Sequence, residues 1–348
     1  MIELIKPEFV IGNEKRFFEF VSSLNEKEKI ALISHTDLDG IAAAKIANEV
    51  LKADIVKFLG YDELNTELVK ELKKEKVRRV VFTDLSFPSD EVLREISKFA
   101  LILVIDHHKT ERDYNTDKIT FLSAQGFCTG YLCYYLFSKI QDLEKLDWLA
   151  ACSCISDFMY FSNQMWMSEI FEKYGDKFEV KEGQIRKTGR FWELQARLSL
   201  ALLYFKDNTK RVYDSIGEKI GDIGDLGKYA DEVNEEISKF MKKFEEESEV
   251  INGVSFWNVY SKFHVEQILI NILSSKYPSR TFMFVSSNEN RIKLSARRQD
   301  RKVDLPALLK KLLSGFKDSS SGGHIPAAGA SFRKEDLEEF KERLREIK

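Results

Sequence analysis

The first half of the chain repeats one pattern: a short unbroken apolar run, then a longer stretch with apolar residues every three or four positions. The runs fall at residues 30–34, 55–59, 80–83, 100–105 and 119–122, and the helical patterns between them at 41–51, 63–75 and 89–99. Unbroken apolar runs of this length suit strands buried on both faces. Strands that alternate with helices imply crossover connections and a parallel sheet covered on both sides. The expected fold class is therefore α/β, with a parallel five-stranded doubly wound sheet in the amino-terminal half. Ligands of such sheets gather outside the carboxyl ends of the strands.

From about residue 191 the pattern becomes purely helical, at 190–205 and 229–250. In the second stretch Val233, Ile237, Phe240, Met241 and Phe244 form one apolar stripe of packing residues. Four glycines between Gly217 and Gly227 mark a loop between these helices. A second, smaller α/β unit follows, with strands predicted at 253–260, 281–286 and 291–295 and helices at 266–275, 305–313 and 334–347. The expected division is a domain at 1–188, a helical connector at 189–249 and a second domain at 250–348.

Composition agrees with this picture. The chain has 348 residues, 43% of them hydrophobic, with 5 Pro and 17 Gly. That describes a folded chain of roughly two domains at about 150 residues each. No apolar run nears the roughly 18 residues of a membrane helix, and Glu3 and Glu14 stand where a secretory signal would be apolar. A soluble, cytoplasmic protein with no membrane partner is expected. Cys128, Cys133, Cys152 and Cys154 contain no CxxC pair and read as reduced core residues. The formal charge of −3 hides an asymmetry of +7 from Val250 onward and −10 before it. An anionic substrate handled between cations and arginines would use that asymmetry, and two ordinary solvated surfaces would also produce it.

The chemistry lies where the apolar runs stop. The first stops at Ser34-His35-Thr36-Asp37-Leu38-Asp39-Gly40, the third at Thr83-Asp84, and the fourth at Asp106-His107-His108; Ser156-Asp157 follows two further apolar helical stretches. Packing so many carboxylates together costs heavily in repulsion unless cations compensate. If residues 35–39 are extended, His35, Asp37 and Asp39 point to one side, and Gly40 lets the chain turn into the helix at 41–51. Imidazole mixed with carboxylate suits Mn²⁺ better than Ca²⁺. Two such ions about 3.5 to 4 Å apart perform in-line displacement at phosphorus. Phosphoester hydrolysis is the implied reaction.

These motifs, together with Ser321-Gly322-Gly323-His324-Ile-Pro-Ala-Ala-Gly329 near the carboxyl terminus, resemble the DHH phosphoesterases. Within that superfamily the chain is similar to the DHH/DHHA1 branch of archaeal-type RecJ-like exonucleases and nano-RNases. The resemblance spans nearly the whole chain. It implies two divalent metal ions, Mn²⁺ first and Mg²⁺ or Co²⁺ as substitutes. One ion would be held by His35, Asp37 and Asp84, the other by Asp39, Asp84, His107 and Asp157. His108 would contact the scissile phosphate or act on the leaving oxygen, with Asp106 orienting its neighbours. Arg297 would grip a substrate phosphate, and the loop Gly322-Gly323-His324 would approach it closely, although Ser321 stands where the family often has a third glycine.

The implied activity is a two-metal exonuclease that degrades single-stranded RNA, DNA or short oligonucleotides to mononucleotides between its two domains. A nano-RNase or small-nucleotide phosphatase is the alternative, and a subunit of a replication or RNA-processing complex, or a homodimer, is the next. A scaffold would have lost metal ligands, whereas every ligand position is filled here. His264 reads as structural, and Arg298, Arg301 and Lys302 as a basic rim. Trp148, Trp166, Trp192 and Trp257 could stack bases, but core packing is the better reading for most of them.

Overall fold

The structure, a computed structural model, describes residues 2–347 except 182, 183, 288 and 289. In chain order the amino-terminal elements are β1 (Phe9–Ile11), α1 (Glu14–Ser22), β2 (Ile30–His35), α2 (Leu38–Leu51), β3 (Ile55–Leu59), α3 (Thr66–Lys74), β4 (Arg79–Thr83), α4 (Glu91–Ser97), β5 (Leu101–Asp106) and β6 (Ile119–Ala124). Then come α5 (Thr129–Phe137), α6 (Asp147–Ser156), α7 (Gln164–Lys173), the short ribbon β7 (Val180–Lys181) and β8 (Gln184–Ile185), α8 (Arg190–Tyr204) and α9 (Thr209–Ser215). The long helix α10 (Leu226–Glu247) leads to β9 (Glu249–Ile251), β10 (Val254–Asn258), α11 (Glu266–Lys276), β11 (Thr281–Ser287), β12 (Arg291–Arg297), α12 (Leu305–Leu312), β13 (Ser320–His324), β14 (Ala327–Arg333) and α13 (Leu337–Glu346).

The first sheet has the order β1-β6-β5-β4-β2-β3. All five sequence-predicted strands are present and mutually parallel, and β1 adds an antiparallel edge beside β6. Strand period sorts the side chains onto two faces. Leu32, Val81, Leu103 and Leu122 join a cluster with α1, α2, α5 and α6, while Ile33, Val80, Phe82, Val104 and Phe121 join another with α3 and α4. Each such burial stabilises by about 1.5–3 kcal/mol, so the sheet is held from both sides. All nine residues of α5 are buried, which fixes the direction of its amino terminus.

The chain divides into two units, up to Ala230 and from Asp231, and the division falls inside α10. The second unit is a six-stranded sheet of order β13-β14-β12-β11-β10-β9, in which only the β10–β11 pair is parallel. Its core packs α12 and α13 on Phe256, Met283, Leu294 and Phe332. Among the described residues no helix is long and apolar enough to cross a membrane. All four cysteines are buried free thiols.

Candidate metal centre

Strand β2 delivers His35, and the backbone then changes direction at once. Asp37 is the N-cap of α2, its carboxylate accepting the Gly40 N–H at 3.0 Å, so Asp39 already lies in the first helical turn. The extended alternation expected for His35, Asp37 and Asp39 is therefore not the observed arrangement, because capping starts the helix three residues earlier than the sequence pattern suggests. Gly40 serves close approach: a Cβ there would fall 2.4 Å from the His35 carbonyl oxygen. The Ser34 hydroxyl donates to the Gly40 carbonyl at 2.7 Å and accepts from the Thr83 hydroxyl at 2.7 Å, tying together the ends of β2 and β4.

Asp84 follows β4 with φ of +59° and sends its N–H to the Ile105 carbonyl at 3.0 Å. Asp106 is the last residue of β5, and His107 and His108 come directly after it. Asp157 caps the carboxyl end of α6. Three strand ends and two helix ends, the start of α2 and the finish of α6, thus supply every carboxylate and imidazole of the cluster.

Three sets of ligand atoms each lie within 4.8 Å of one another: His35, Asp37 and Asp84; Asp39, His107 and Asp157; and Asp84, His107 and His108. His107 Nε2 is 3.1 Å from Asp157, 3.5 Å from Asp84 and 3.7 Å from Asp39, while His35 Nδ1 is 2.9 Å from Asp37 and 3.8 Å from Asp84. The nearly inaccessible Asp84 stands between the two halves. His108 Nδ1 lies 2.8 Å from Asp106 Oδ1, so the adjoining pair is hydrogen-bonded.

Sequence reading missed the residues that hold these groups in place. Asp39 accepts the Thr129 N–H at 2.8 Å, the Gly130 N–H at 2.7 Å and the Ser153 hydroxyl, so the positive end of α5 points at it. The Thr129 hydroxyl donates to Asp84 at 3.1 Å. A Cβ at position 130 would overlap the Ser153 hydroxyl. Tyr61 stacks on His35 with ring centroids 4.7 Å apart, and its hydroxyl lies 3.1 Å from His108 Nε2. The available signals were faint: a Cys-Thr-Gly before an apolar helix, and a serine between two cysteines.

His35 Nδ1, Asp84 Oδ2 and His107 Nε2 are buried and have no hydrogen-bond partner. Their close contacts with Asp37 and Asp157 lack hydrogen-bond alignment, as expected of donor atoms that aim at a common point instead of at each other. Buried polar atoms are nearly always paired. Two imidazole nitrogens and several carboxylate oxygens left open toward one space form a donor set that fits borderline divalent cations. The electrostatics agree. Burial first, and then the neighbouring carboxylates, push Asp84 well above the usual carboxylate range and raise Asp39 as well. Burial alone would lower His107, but Asp157 and Asp39 outweigh it and raise the ring to about 9. The site is short of positive charge, which divalent ions would supply.

In the second unit Arg297 ends β12 and His324 ends β13. Each is paired with Ala327 of β14, so the two side chains lie on one face of the sheet with an alanine between them. At the usual strand spacing they are about 10 Å apart. The Arg297 guanidinium is oriented by Asn271 and Gln267 of α11, both at 3.2 Å. Gly322 and Gly323 belong to strand β13 and not to the loop expected, because the small residues of β14 pair with them in register. Gly323 has φ of +134°, and a Cβ there would fall 2.4 Å from the Ala327 carbonyl oxygen.

Arg298 is engaged by Asp300 at 2.7 and 3.0 Å. His264 is exposed just before α11. The four tryptophans are buried at 0, 1, 8 and 2% exposure for Trp148, Trp166, Trp192 and Trp257, and so are core residues.

Residues 29–159 match the family model described as the DHH family N-terminal domain, and residues 260–348 match that of the DHHA1 domain. Among solved structures, the fold is similar to exonuclease RecJ bound to manganese, with a TM-score of 0.63 at 15% identity over 99% of this chain and 95% of that one. RecJ in complex with Mn²⁺ from Thermus thermophilus gives 0.64 at 15% identity, over 99% of this chain and 55% of the larger protein. CDC45 from Entamoeba histolytica gives 0.61 at 11% identity, over 97% and 99% of the two chains. At these identities the likeness is one of fold. None of the curated proteins matches this sequence.

Proposed function

The chain belongs to the DHH/DHHA1 family of phosphoesterases, and from that premise we propose that it is a two-metal exonuclease hydrolysing single-stranded nucleic acid or short oligonucleotides to mononucleotides. The observation that carries this reading is the set of unpartnered buried ligand atoms on His35, Asp84 and His107. His35, Asp37 and Asp84 would hold one ion, and Asp39, Asp84, His107 and Asp157 the other, Asp84 being common to both sets. Mn²⁺ is the ion best matched to this imidazole–carboxylate mixture. Bound there, the ions supply an activated water and neutralise charge on the phosphoryl oxygens.

The remaining work falls to the chain. The Asp106 contact sets the His108 tautomer, with a proton on Nδ1, and turns Nε2 toward the Tyr61 hydroxyl. Protonated at Nε2, His108 donates to the scissile phosphate or to the leaving oxygen. Thr129, Gly130 and Ser153 donate to Asp39 and hold its carboxylate in place, the role that outer partners play around metal ligands. In the second unit Arg297, Gly322, Gly323 and His324 bind substrate phosphate, the guanidinium offering a planar fork to it.

The test is an end-labelled degradation assay with matched RNA and DNA oligomers, in Mn²⁺ and in chelator. A metal-dependent ladder from one end is the expected result, and cleavage confined to dimers would point to a nano-RNase instead. Asp39→Ala should abolish turnover; unchanged turnover would sink the two-metal reading.

A further inference from the structure

Directly after Asp157 the chain exposes three large apolar side chains within eight residues: Phe158 at 67%, Phe161 at 51% and Met165 at 75%. Single exposed hydrophobic residues are ordinary, but a grouped set marks a binding surface. The two rings share one support. Buried Tyr160 meets Phe158 and Phe161 edge-on, at centroid separations of 6.3 and 5.1 Å, and itself packs against Trp192 at 5.7 Å. Phe158 has φ of +59°, a left-handed backbone that is a genuine outlier for a bulky residue. The Lys187 ammonium lies 5.5 Å from the centre of the Phe158 ring.

We propose that Phe158 and Phe161 form a stacking platform for the bases of an unpaired nucleic acid strand. The proposal rests on the phosphodiesterase reading above. Phe158 is the immediate neighbour of a residue in the metal centre, and a base is joined to its phosphate through a single sugar. A phosphate held at the centre would carry its base toward the segment that follows Asp157. Lys187 holds a cation over one face of the Phe158 ring, where it can serve a neighbouring phosphate. Nucleobases are flat and apolar on both faces, whereas a peptide or lipid at this position would leave the adjoining carboxylates unserved. A duplex hides its base faces and gains nothing here. The tryptophans cannot do this job, since all four are buried.

The test compares kcat/KM in Mn²⁺ for a short thymidine or uridine oligomer with that for an oligomer of equal length carrying abasic residues. Wild type should favour the base-bearing strand by roughly tenfold, within the range of one base–aromatic stack. The double variant Phe158→Ala, Phe161→Ala should bring that ratio close to one, while Phe158→Trp should preserve it. Thermal melting of each variant confirms that the fold is intact. Equal rates on both strands in wild type, or an undiminished ratio in the double variant, overturn the platform alone. Hydrolysis of neither strand removes the phosphodiesterase reading and the platform together.

Discussion

Replacing Asp84 by Asn should make the metal-free protein more stable while destroying its response to Mn²⁺. Asp84 is 1% exposed, accepts the Thr129 hydroxyl through Oδ1, and has no hydrogen-bond partner for Oδ2. Asn keeps the shape and the Thr129 bond but removes one negative charge from a cluster that also holds Asp37, Asp39, Asp106 and Asp157. The candidate ligand atoms of Asp84 and Asp37 lie within 4.8 Å, where two like charges repel by about 3.5 kcal/mol or more at an effective dielectric constant of about 20. Water at the exposed side of Asp37 lowers this figure. Protonation also caps the total cost of Asp84 at about 4 kcal/mol at pH 7, relative to an unfolded carboxyl near pKa 3.9.

A gain of about 1–3 kcal/mol is therefore expected, or several degrees in Tm. Its sign depends on pH. Because burial and like charges raise the folded-state pKa, the penalty is absent below about pH 4 and grows as pH rises, so wild type and variant should converge in acid and diverge toward pH 8. Added Mn²⁺ reverses the order, since an ion at about a thousand times its Kd stabilises wild type by about 4.1 kcal/mol and the variant by far less. Melting curves with chelator and with Mn²⁺, between pH 4 and 8, measure all of this. A metal-free variant less stable than wild type at pH 8, or one equally stabilised by Mn²⁺, would refute the reasoning.

Three other substitutions probe separate parts of the centre. Ser153→Ala removes a donor from Asp39 and should weaken Mn²⁺ binding by about 10- to 100-fold, read as the Mn²⁺ concentration needed to shift Tm; an unchanged requirement would deny Ser153 this role. Gly40→Ala gains helix propensity but drives a Cβ to 2.4 Å from the His35 carbonyl oxygen, so a net loss of about 2 kcal/mol or more is expected, and a rise in Tm would contradict the close approach. His108→Ala should leave the Mn²⁺-induced rise in Tm in place while lowering kcat by about 10²- to 10⁴-fold; a loss of metal response would make His108 a ligand instead.

Much of this protein is legible one segment at a time. The five parallel strands come from unbroken apolar runs, because a strand covered on both faces needs apolar side chains on both. His35, Asp84 and Asp106 could be nominated because each stands where such a run stops. Local pattern was weaker where pairing decides conformation. Ser320–His324 contains two glycines and no strand-forming residue, and becomes a strand only through its partner β14. Asp37 starts α2 early because its side chain captures the Gly40 N–H, a capping bond that overrode the apparent extension.

The order of residues along the chain thus determined the sheet, the inventory of carboxylates and imidazoles, and the edge on which they gather. Only tertiary packing decided which of them face one another, that α5 aims its amino terminus at Asp39, that Asp84 stands between the two halves of the cluster, and that Phe158 and Phe161 remain exposed while all four tryptophans are buried. Those outcomes depend on contacts between segments more than a hundred residues apart, and no local periodicity encodes a distance between two segments that are not neighbours in the chain.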